Sequence, residues 1–342
     1  MIVLGIETTC DETSVSLVRY SNRRFEILSN VVLSQDIHQL FGGVYPEQAF
    51  RKHQENLVPI LSKALEVIDD FEKIDLVGVS AYPGLVGALA CGVAVAKVIS
   101  GLIDKPVMPV NHLWAHILVN FTKIPEDCSR YLGLVISGGH TNAFLIDSLL
   151  PLKIRSISGT LDDAVGEAFD KVARMLGLGF PGGPIIDKLA NSYEKRMKNF
   201  SPLFPVPDPS GYSFSYSGLK TAVMRYLKDK KDFDVEEICF YFRYSAIKHI
   251  INKLQMMVRE FGVSEILIGG GVAANSFLRQ ELDKLSKDLG LRIRVPPVSL
   301  CTDNAAMVAI ASTFLFLSNC NIDQSFDVYP SQEEGNRIWN IE

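Results

Sequence analysis

Two stretches share one pattern, a β-rich apolar run, a turn of small and hydroxyl residues, and a second β-rich run. Val3 to Val18 runs as an apolar strand, a polar turn through Thr8, Thr9, Cys10 and Asp11, and a second strand; Leu132 to Ile146 repeats that order around Ser137-Gly138-Gly139-His140-Thr141. Short apolar runs bounded by such a turn mark strands. Recurrence of the pattern suggests a duplicated domain with a boundary near Thr122–Arg130. Between the hairpins the pattern changes. Pro46 to Ile68 places Leu57, Ile60, Leu61 and Leu65 at helical spacing. A strand is expected at Leu76–Ser80, an apolar helix over Gly84–Ile103 and a strand at Val107–Val110. After the second hairpin the pattern predicts helices near Gly166–Leu176 and Val235–Phe261, then a strand at Glu265–Ile268. Strands and helices mixed in this order indicate an α/β protein. The expected domains are 1–125, 126–318 with helical insertions, and an irregular tail over 319–342.

The stretch Gly84–Ile103 is apolar enough to raise the question of a membrane. Lys97 lies inside it, Gly and Ala are frequent, and Pro83 and Asp104–Pro106 bound it closely. These features predict a helix buried against a sheet, its small residues permitting close approach, and no membrane association. The chain of 342 residues, 47% hydrophobic and 21% charged, is long enough for two domains with a large core. A net charge of −5 excludes a generally basic nucleic-acid binder. Any nucleic acid must meet a local basic patch or arrive with a partner's help. The six cysteines include no Cys-x-x-Cys pair, which fits reduced thiols in a cytoplasm. Met1 leads directly into strand-like sequence with no secretory signal, so a cytoplasmic location is expected.

The chemistry concentrates in a few places. His112 and His116 are four residues apart and share one helix face. They can offer two imidazole nitrogens to a cation, and Asp303 in Cys-Thr-Asp-Asn-Ala-Ala can complete a facial three-ligand site. Taken alone, the histidines can equally be ordinary helix residues. Ser137–Thr141 and Gly269–Asn275 are glycine-rich turns whose backbone N–H groups can converge on an anion, the second beside a helix N-terminus. Neither is a dinucleotide or P-loop fingerprint. Two such turns on a duplicated scaffold point to a nucleotide held in a cleft between the halves. Asp162 and Asp163 read as helix N-terminal caps, whereas Asp170 lies too far into its helix for that. Phe180–Asp187 reads as a loop approaching a ribose. Lys220, Arg225, Lys228, Lys230 and Lys231 form a basic stretch that is either a solvated helix face or a nucleic-acid contact. Asp11 and Glu12, with Glu47, Arg51 and His53, can line the same cleft, although His53 alone reads as an exposed helix residue.

Gly5-Ile-Glu-Thr-Thr-Cys-Asp-Glu-Thr13, His112-x-x-x-His116, Ser-Gly-Gly-His-Thr, Gly-Glu-Ala-Phe-Asp-Lys, Phe-Pro-Gly-Gly-Pro, Ser-Gly-Leu-Lys-Thr, Gly-Gly-Gly-Val-Ala-Ala-Asn and Cys-Thr-Asp-Asn-Ala-Ala follow one another in the order of a known family. Over roughly Met1 to Phe316 the chain resembles the tRNA N6-adenosine threonylcarbamoyltransferases, once labelled sialoglycoproteases, in their bacterial form. The resemblance implies a duplicated actin/Hsp70/sugar-kinase-like (ASKHA) fold of two lobes with a central cleft. It implies transfer of threonylcarbamoyl from threonylcarbamoyl-AMP to N6 of adenosine 37 in tRNAs reading ANN codons, forming t6A and releasing AMP. It implies one divalent ion per subunit, Fe2+ or Zn2+, on His112, His116 and Asp303. It places the adenylate on Val135, Ile136, Ser137, Gly138, Gly139, Asp170, Gly183, Asp187 and Asn275. Its partners would be tRNA, a non-catalytic paralogue (TsaB-like) and a small P-loop ATPase (TsaE-like). Asp11 and Glu12 are candidates for taking the N6 proton. The family usually carries Glu, then Gly or Ala, between the histidines; here Trp114-Ala115 stands there and leaves the triad intact.

Three other readings remain open. A metalloprotease is suggested by the histidine spacing, but the zincin signature needs Glu directly after the first histidine and Leu113 occupies that place. A sugar kinase or ATPase would share the fold. A non-catalytic scaffold of the same family would be expected to lack the ligands retained here.

Overall fold

The first of the two similar stretches forms the hairpin that its apolar runs and polar turn predict. Strands β1 (Ile2–Glu7) and β2 (Glu12–Ser21) pair antiparallel, from Ile2 opposite Arg19 to Glu7 opposite Ser14. The computed structural model describes residues 1–35, 43–126, 129–230, 232–320 and 325–335. Cys128, Lys231 and parts of the 122–130 boundary and of the 319–342 tail lie outside these. Strand β3 (Arg24–Ser34) extends the hairpin on one side. Strands β4 (Leu76–Tyr82) and β5 (Val107–Asn111) extend it in parallel on the other, giving the order β3-β2-β1-β4-β5.

The second of these stretches does the same. Strands β6 (Tyr131–Ile136) and β7 (Thr141–Leu149) form an antiparallel hairpin, flanked by β8 (Leu152–Ser158) beside β7. On the other side β9 (Glu265–Gly269) and β10 (Arg292–Arg294) add in parallel, and the order is β10-β9-β6-β7-β8. Each strand of the second sheet thus has a counterpart in the first, and the duplication inferred from two hairpins holds for whole sheets.

Ten α-helices connect the described strands: α1 (Pro46–Leu65), α2 (Val86–Ile103), α3 (His112–Leu118), α4 (Val165–Met175), α5 (Gly182–Arg196), α6 (Ser217–Asp229), α7 (Val235–Phe261), α8 (Ser276–Leu289), α9 (Ala305–Leu317) and α10 (Gln332–Gly335). The chain divides into two compact units. Unit 1 holds Met1–Cys128, Ser148–Lys153 and Thr302–Glu342; unit 2 holds Ser129–Asp147 and Ile154–Cys301. The sequence boundaries put α9 with the second lobe, yet α9 packs against β1, β2, β4 and β5 of unit 1. It is apolar on every side, so it satisfies itself only in the middle of a core. Glycines admit it there: a Cβ on Gly5 would lie 2.2 Å from Ala305 O, and one on Gly78 would lie 2.5 Å from Ser312 Oγ.

Helix α2 is long and apolar enough, by length and composition, to cross a membrane, with mean hydropathy 2.1. Its inner residues Ala88, Leu89, Gly92, Val93, Ala96 and Ile99 are buried, and the helix packs on β4 and α1. Val86, Ala90, Ala94, Val98 and Leu102, spaced by four, form an exposed stripe on the opposite side. On α1, Leu57 and Ile60 face the protein's own interior.

Two local expectations are corrected. Phe180–Asp187 is not a loop, because α5 starts at Gly182, and Gly183 and Asp187 belong to its first two turns. Pro181 is well suited to precede a helix, since it has no N–H to leave unpaired. Asp162 and Asp163 do not cap α4. Asp162 accepts from Tyr216 N (2.7 Å), Ser217 N (3.3 Å) and Ser215 Oγ (2.6 Å) and so secures the start of α6. Asp163 pairs with Lys171 and Lys220, which removes Lys220 from the free basic stretch.

Candidate metal centre and nucleotide-binding turns

In unit 1, β5 passes directly into α3 through Asn111, whose side chain caps the helix by accepting from Leu113 N (2.8 Å) and Trp114 N (3.2 Å). That junction presents His112 and His116 from one helix face, their rings 4.6 Å apart at 82°. Asp303 arrives just before α9, whose first turn is fixed by Asn304 accepting from Met307 N and by Ala305 N donating to Ser14 Oγ (2.9 Å). Asp303 Oδ1 is 3.0 Å from His116 Nε2 and 3.6 Å from His112 Nε2. One ligand atom from each of the three residues lies within 4.8 Å of the others.

Two imidazoles and a carboxylate are a donor set that divalent transition ions accept. Both histidines are buried, and the partly open Asp303 side chain leaves a way in. The residues present therefore fit a metal ion. Trp114, where the family has Glu, is 3% exposed and belongs to the core; its indole N–H has no hydrogen-bond partner. Leu113, at the place where a zincin needs its base, is 1% exposed and apolar.

The electrostatics favour a cation. Burial works against a charged His112, but the carboxylates of Glu7 and Asp303 overcome it and raise the imidazole to about 9. His116 moves the other way: burial lowers it, and His112 adds to that. Glu12 is pushed well above the usual carboxylate range by burial and by the charges of Asp303 and Asp11. A cation beside Asp303 would relieve that crowding. Burial and the same acids push the Cys10 thiol well up, away from the thiolate. Asp11 lies in the β1–β2 turn and Glu12 begins β2, near enough to Asp303 for its charge to be felt at Glu12. His53 is corrected: it is fully buried, 2.8 Å from Thr13 Oγ1 and 3.0 Å from Cys10 O, and pins that turn to α1. Glu47 and Arg51 instead pair with each other at the surface.

In unit 2 the expected substrate residues collect at the carboxyl ends of β6 and β9, the end of a parallel pair where ligands usually bind. Val135 and Ile136 are the last residues of β6, and the turn that follows is closed by Ser137 N donating to His140 O (2.8 Å). A Cβ on Gly138 or Gly139 would meet nothing within 4 Å, so this backbone faces open space. Gly166 lets α4 abut the turn: its Cβ would lie 2.5 Å from Ser137 O, and its N donates to that oxygen (3.2 Å). Gly270 has φ +91°, and a Cβ there would lie 2.4 Å from Ile136 O, so only glycine fits.

The remaining residues carry structural bonds as well. Asn275 caps α8 by accepting from Leu278 N (3.0 Å). Asp170 accepts from Gly182 N (2.7 Å) and anchors α5. Asp187 accepts from Ser276 N and Ser276 Oγ (3.0 Å each) and from Arg243 Nη1 (2.8 Å). Gly183 has open space at its Cβ position. Arg243, 1% exposed, also donates to Asn191 Oδ1 and Glu194 Oε2, tying α7 to α5. Sequence reasoning missed Arg243 and Glu7. Each stands alone inside an otherwise regular helix or strand pattern, and an isolated charge in such a run is the only signal available.

Doubled sheets of this order define a protein of the actin-like ATPase and kinase fold class. Solved structures agree on the fold. Full-length HypF in its phosphate- and nucleotide-bound form superposes with TM-score 0.59 at 12% identity, covering 94% of this chain and 46% of that one. Component A of the (R)-2-hydroxyglutaryl-CoA dehydratase of Acidaminococcus fermentans gives TM-score 0.52 at 14% identity, covering 92% and 99%. At the level of sequence the match is closer. The family model for TsaD, tRNA N6-adenosine threonylcarbamoyltransferase, matches residues 26–310, and the chain belongs to that family. The tRNA N6-adenosine threonylcarbamoyltransferase of Thermosipho africanus (strain TCF52B) is 42% identical over 335 residues, 97% of this chain and 99% of that one. Its counterpart in Sulfurihydrogenibium sp. (strain YO3AOP1) is 46% identical over 311 residues, 90% and 89%.

Proposed function

We propose that this chain transfers a threonylcarbamoyl group from threonylcarbamoyl-AMP to N6 of adenosine 37 in tRNA. The amine attacks the carbamoyl carbon, the new C–N bond forms, the bond to the phosphate oxygen breaks, N6 loses a proton and AMP leaves. The acyl carbon is already activated, so the protein's work is placement and stabilisation of charge. The open backbone of Gly138 and Gly139, in the Ser137–Gly139 turn, would offer N–H groups to the phosphate, and Asp170, Asp187 and Asn275 would meet the ribose end. Asp11 and Glu12 are the candidate acceptors of the N6 proton, Glu12 only once a cation has relieved the crowding that keeps it protonated. His112, His116 and Asp303 would hold one iron or zinc ion, which supplies Lewis-acid polarisation of a phosphate or acyl oxygen. The observation that carries this reading is the assembled His112–His116–Asp303 cluster in a chain whose family match runs over residues 26–310.

A −5 chain lacks the broad positive field that captures a polyanion, which supports a need for partners at the tRNA. The exposed apolar stripe of α2 supports docking of a non-catalytic paralogue, with a small P-loop ATPase completing the set. A tRNA substrate places the work in the cytoplasm. Reconstitution tests the whole proposal: purified protein, threonylcarbamoyl-AMP and tRNA are combined with and without the partners, and t6A is measured by nucleoside mass spectrometry. Modified adenosine is expected, at multiple turnover only with partners. No t6A in any combination overturns the transfer reading, and full turnover by the isolated chain overturns the partner requirement.

A further inference from the structure

Behind the cluster stands a buried carboxylate that the transfer chemistry does not use. Glu7 ends β1 and is fully buried. Donors from three separate elements converge on it. Thr9 N in the hairpin turn donates to Oε1 (2.7 Å), Ser80 Oγ at the end of β4 donates to Oε2 (2.6 Å), and His112 Nδ1 on α3 lies 3.1 Å from the same Oε2. A carboxylate held by a hydroxyl, a backbone amide and an imidazole has little freedom to move. Ionised, it can only accept, so the ring hydrogen sits on His112 Nδ1 and Nε2 is turned toward Asp303. Thr9 Oγ1 is the other neighbour of Nδ1, at a longer 3.3 Å. The second histidine has no such support, since His116 Nδ1 is buried with no hydrogen-bond partner among the described residues. The two imidazoles are therefore unequal: His112 is clamped from behind by a charged acceptor, whereas His116 meets a carboxylate only in front, at Asp303.

We infer that Glu7 is a positioning residue for the metal centre, fixing the tautomer and ring orientation of His112 so that Nε2 is its coordinating nitrogen. The inference rests on reading His112, His116 and Asp303 as the ligands. An imidazole whose far N–H donates to a carboxylate is held in one orientation and is the stronger donor, and loss of such a partner typically weakens metal binding tenfold to a hundredfold. Ser80 and Thr9 act one step further out by holding Glu7 itself.

The test uses full-length protein stripped with a chelator and reloaded with Zn2+, with affinity measured by competition against a chromophoric chelator. Wild type should take up one equivalent, His116→Ala should not, and Glu7→Gln should bind roughly 10 to 100 times more weakly. Ser80→Ala should fall between wild type and Glu7→Gln. A second measurement needs no variant. Nitrogen-15 spectra of histidine-labelled, zinc-loaded wild type should show His112 protonated at Nδ1 and coordinated through Nε2. No zinc uptake by wild type overturns the ligand set and this inference together. Zinc uptake with coordination through Nδ1, or with a Glu7→Gln affinity equal to wild type, overturns the role of Glu7 alone.

Discussion

Asp170 serves two purposes that can be separated. Helix α5 begins after Pro181, which supplies no side-chain cap, and the missing acceptor is provided across from α4: Asp170 Oδ1 takes the hydrogen of Gly182 N at 2.7 Å. Removing that acceptor leaves a helix-terminal N–H unpaired and should cost about 1–2 kcal/mol of stability. The same carboxylate is proposed to accept a ribose hydroxyl of the adenylate. Asp170→Ala loses both functions. Asp170→Asn keeps an amide oxygen for Gly182 N, while its NH2 group cannot accept a hydroxyl hydrogen. The alanine variant should therefore melt earlier and bind AMP more weakly. The asparagine variant should melt within roughly 0.5 kcal/mol of wild type yet lose about tenfold in AMP affinity, or about 1.4 kcal/mol. Calorimetric titration with AMP beside thermal denaturation reads both quantities. Unchanged AMP affinity in both variants would show that Asp170 is a cap and nothing more, and would move the ribose site elsewhere.

Three further outcomes are expected. Metal analysis should find about one equivalent less metal in His116→Ala than in wild type, as a one-ion site requires; equal content removes the site. Gly5→Ala would press its Cβ to 2.2 Å from Ala305 O, so it should destabilise the protein by about 1–3 kcal/mol and reduce metal uptake by shifting Asp303; a wild-type melting temperature refutes the packing argument. His249 is lowered from 6.5 to about 4 by burial, with Lys253 adding to it. The unfolded chain thus takes up this proton first, and stability present above about pH 6.5 is lost as the pH falls toward 4, by about 3 kcal/mol at most. Denaturant unfolding of wild type and His249→Gln at pH 7 and 4.5 should show a smaller acid loss in the variant, and equal losses would refute the assignment.

Regular periodicity was readable in advance and irregular placement was not. Helix α7 has the predicted bounds, and the two hairpins announced both sheets, because their buried strands are β-rich apolar runs set off by polar turns. Strand β3 left no such trace: at the sheet edge most of its residues are partly or fully exposed, and polar residues break its apolar run. Pro181-Gly182-Gly183-Pro184 looked like a loop because its residues break helices in the interior, yet at a helix start they are tolerated. His112, His116 and Asp303 were legible as types at a spacing, but what stands behind them was not. His53 read as exposed because one histidine on an amphipathic helix carries no sign of what faces it. Asp162 was assigned to the wrong helix, since its partners at Ser215–Ser217 lie more than fifty residues along the chain.

The way the chain is divided between the two units has a consequence for synthesis. Helix α9, which fills the core of the first sheet, and Asp303, which completes the cluster, are made only after all of unit 2. His116 and Asp303 are 187 positions apart, a delay of roughly 10–40 s at 5–20 residues per second on the ribosome. During that interval β1, β2, β4 and β5 have emerged without the helix that covers them, and they present an apolar face that chaperones would recognise. Unit 2 faces no such wait, because every residue it contains precedes Thr302. The unit begun first is therefore finished last, and an ion held by all three ligands can be held only by a chain that has been read through to Asp303.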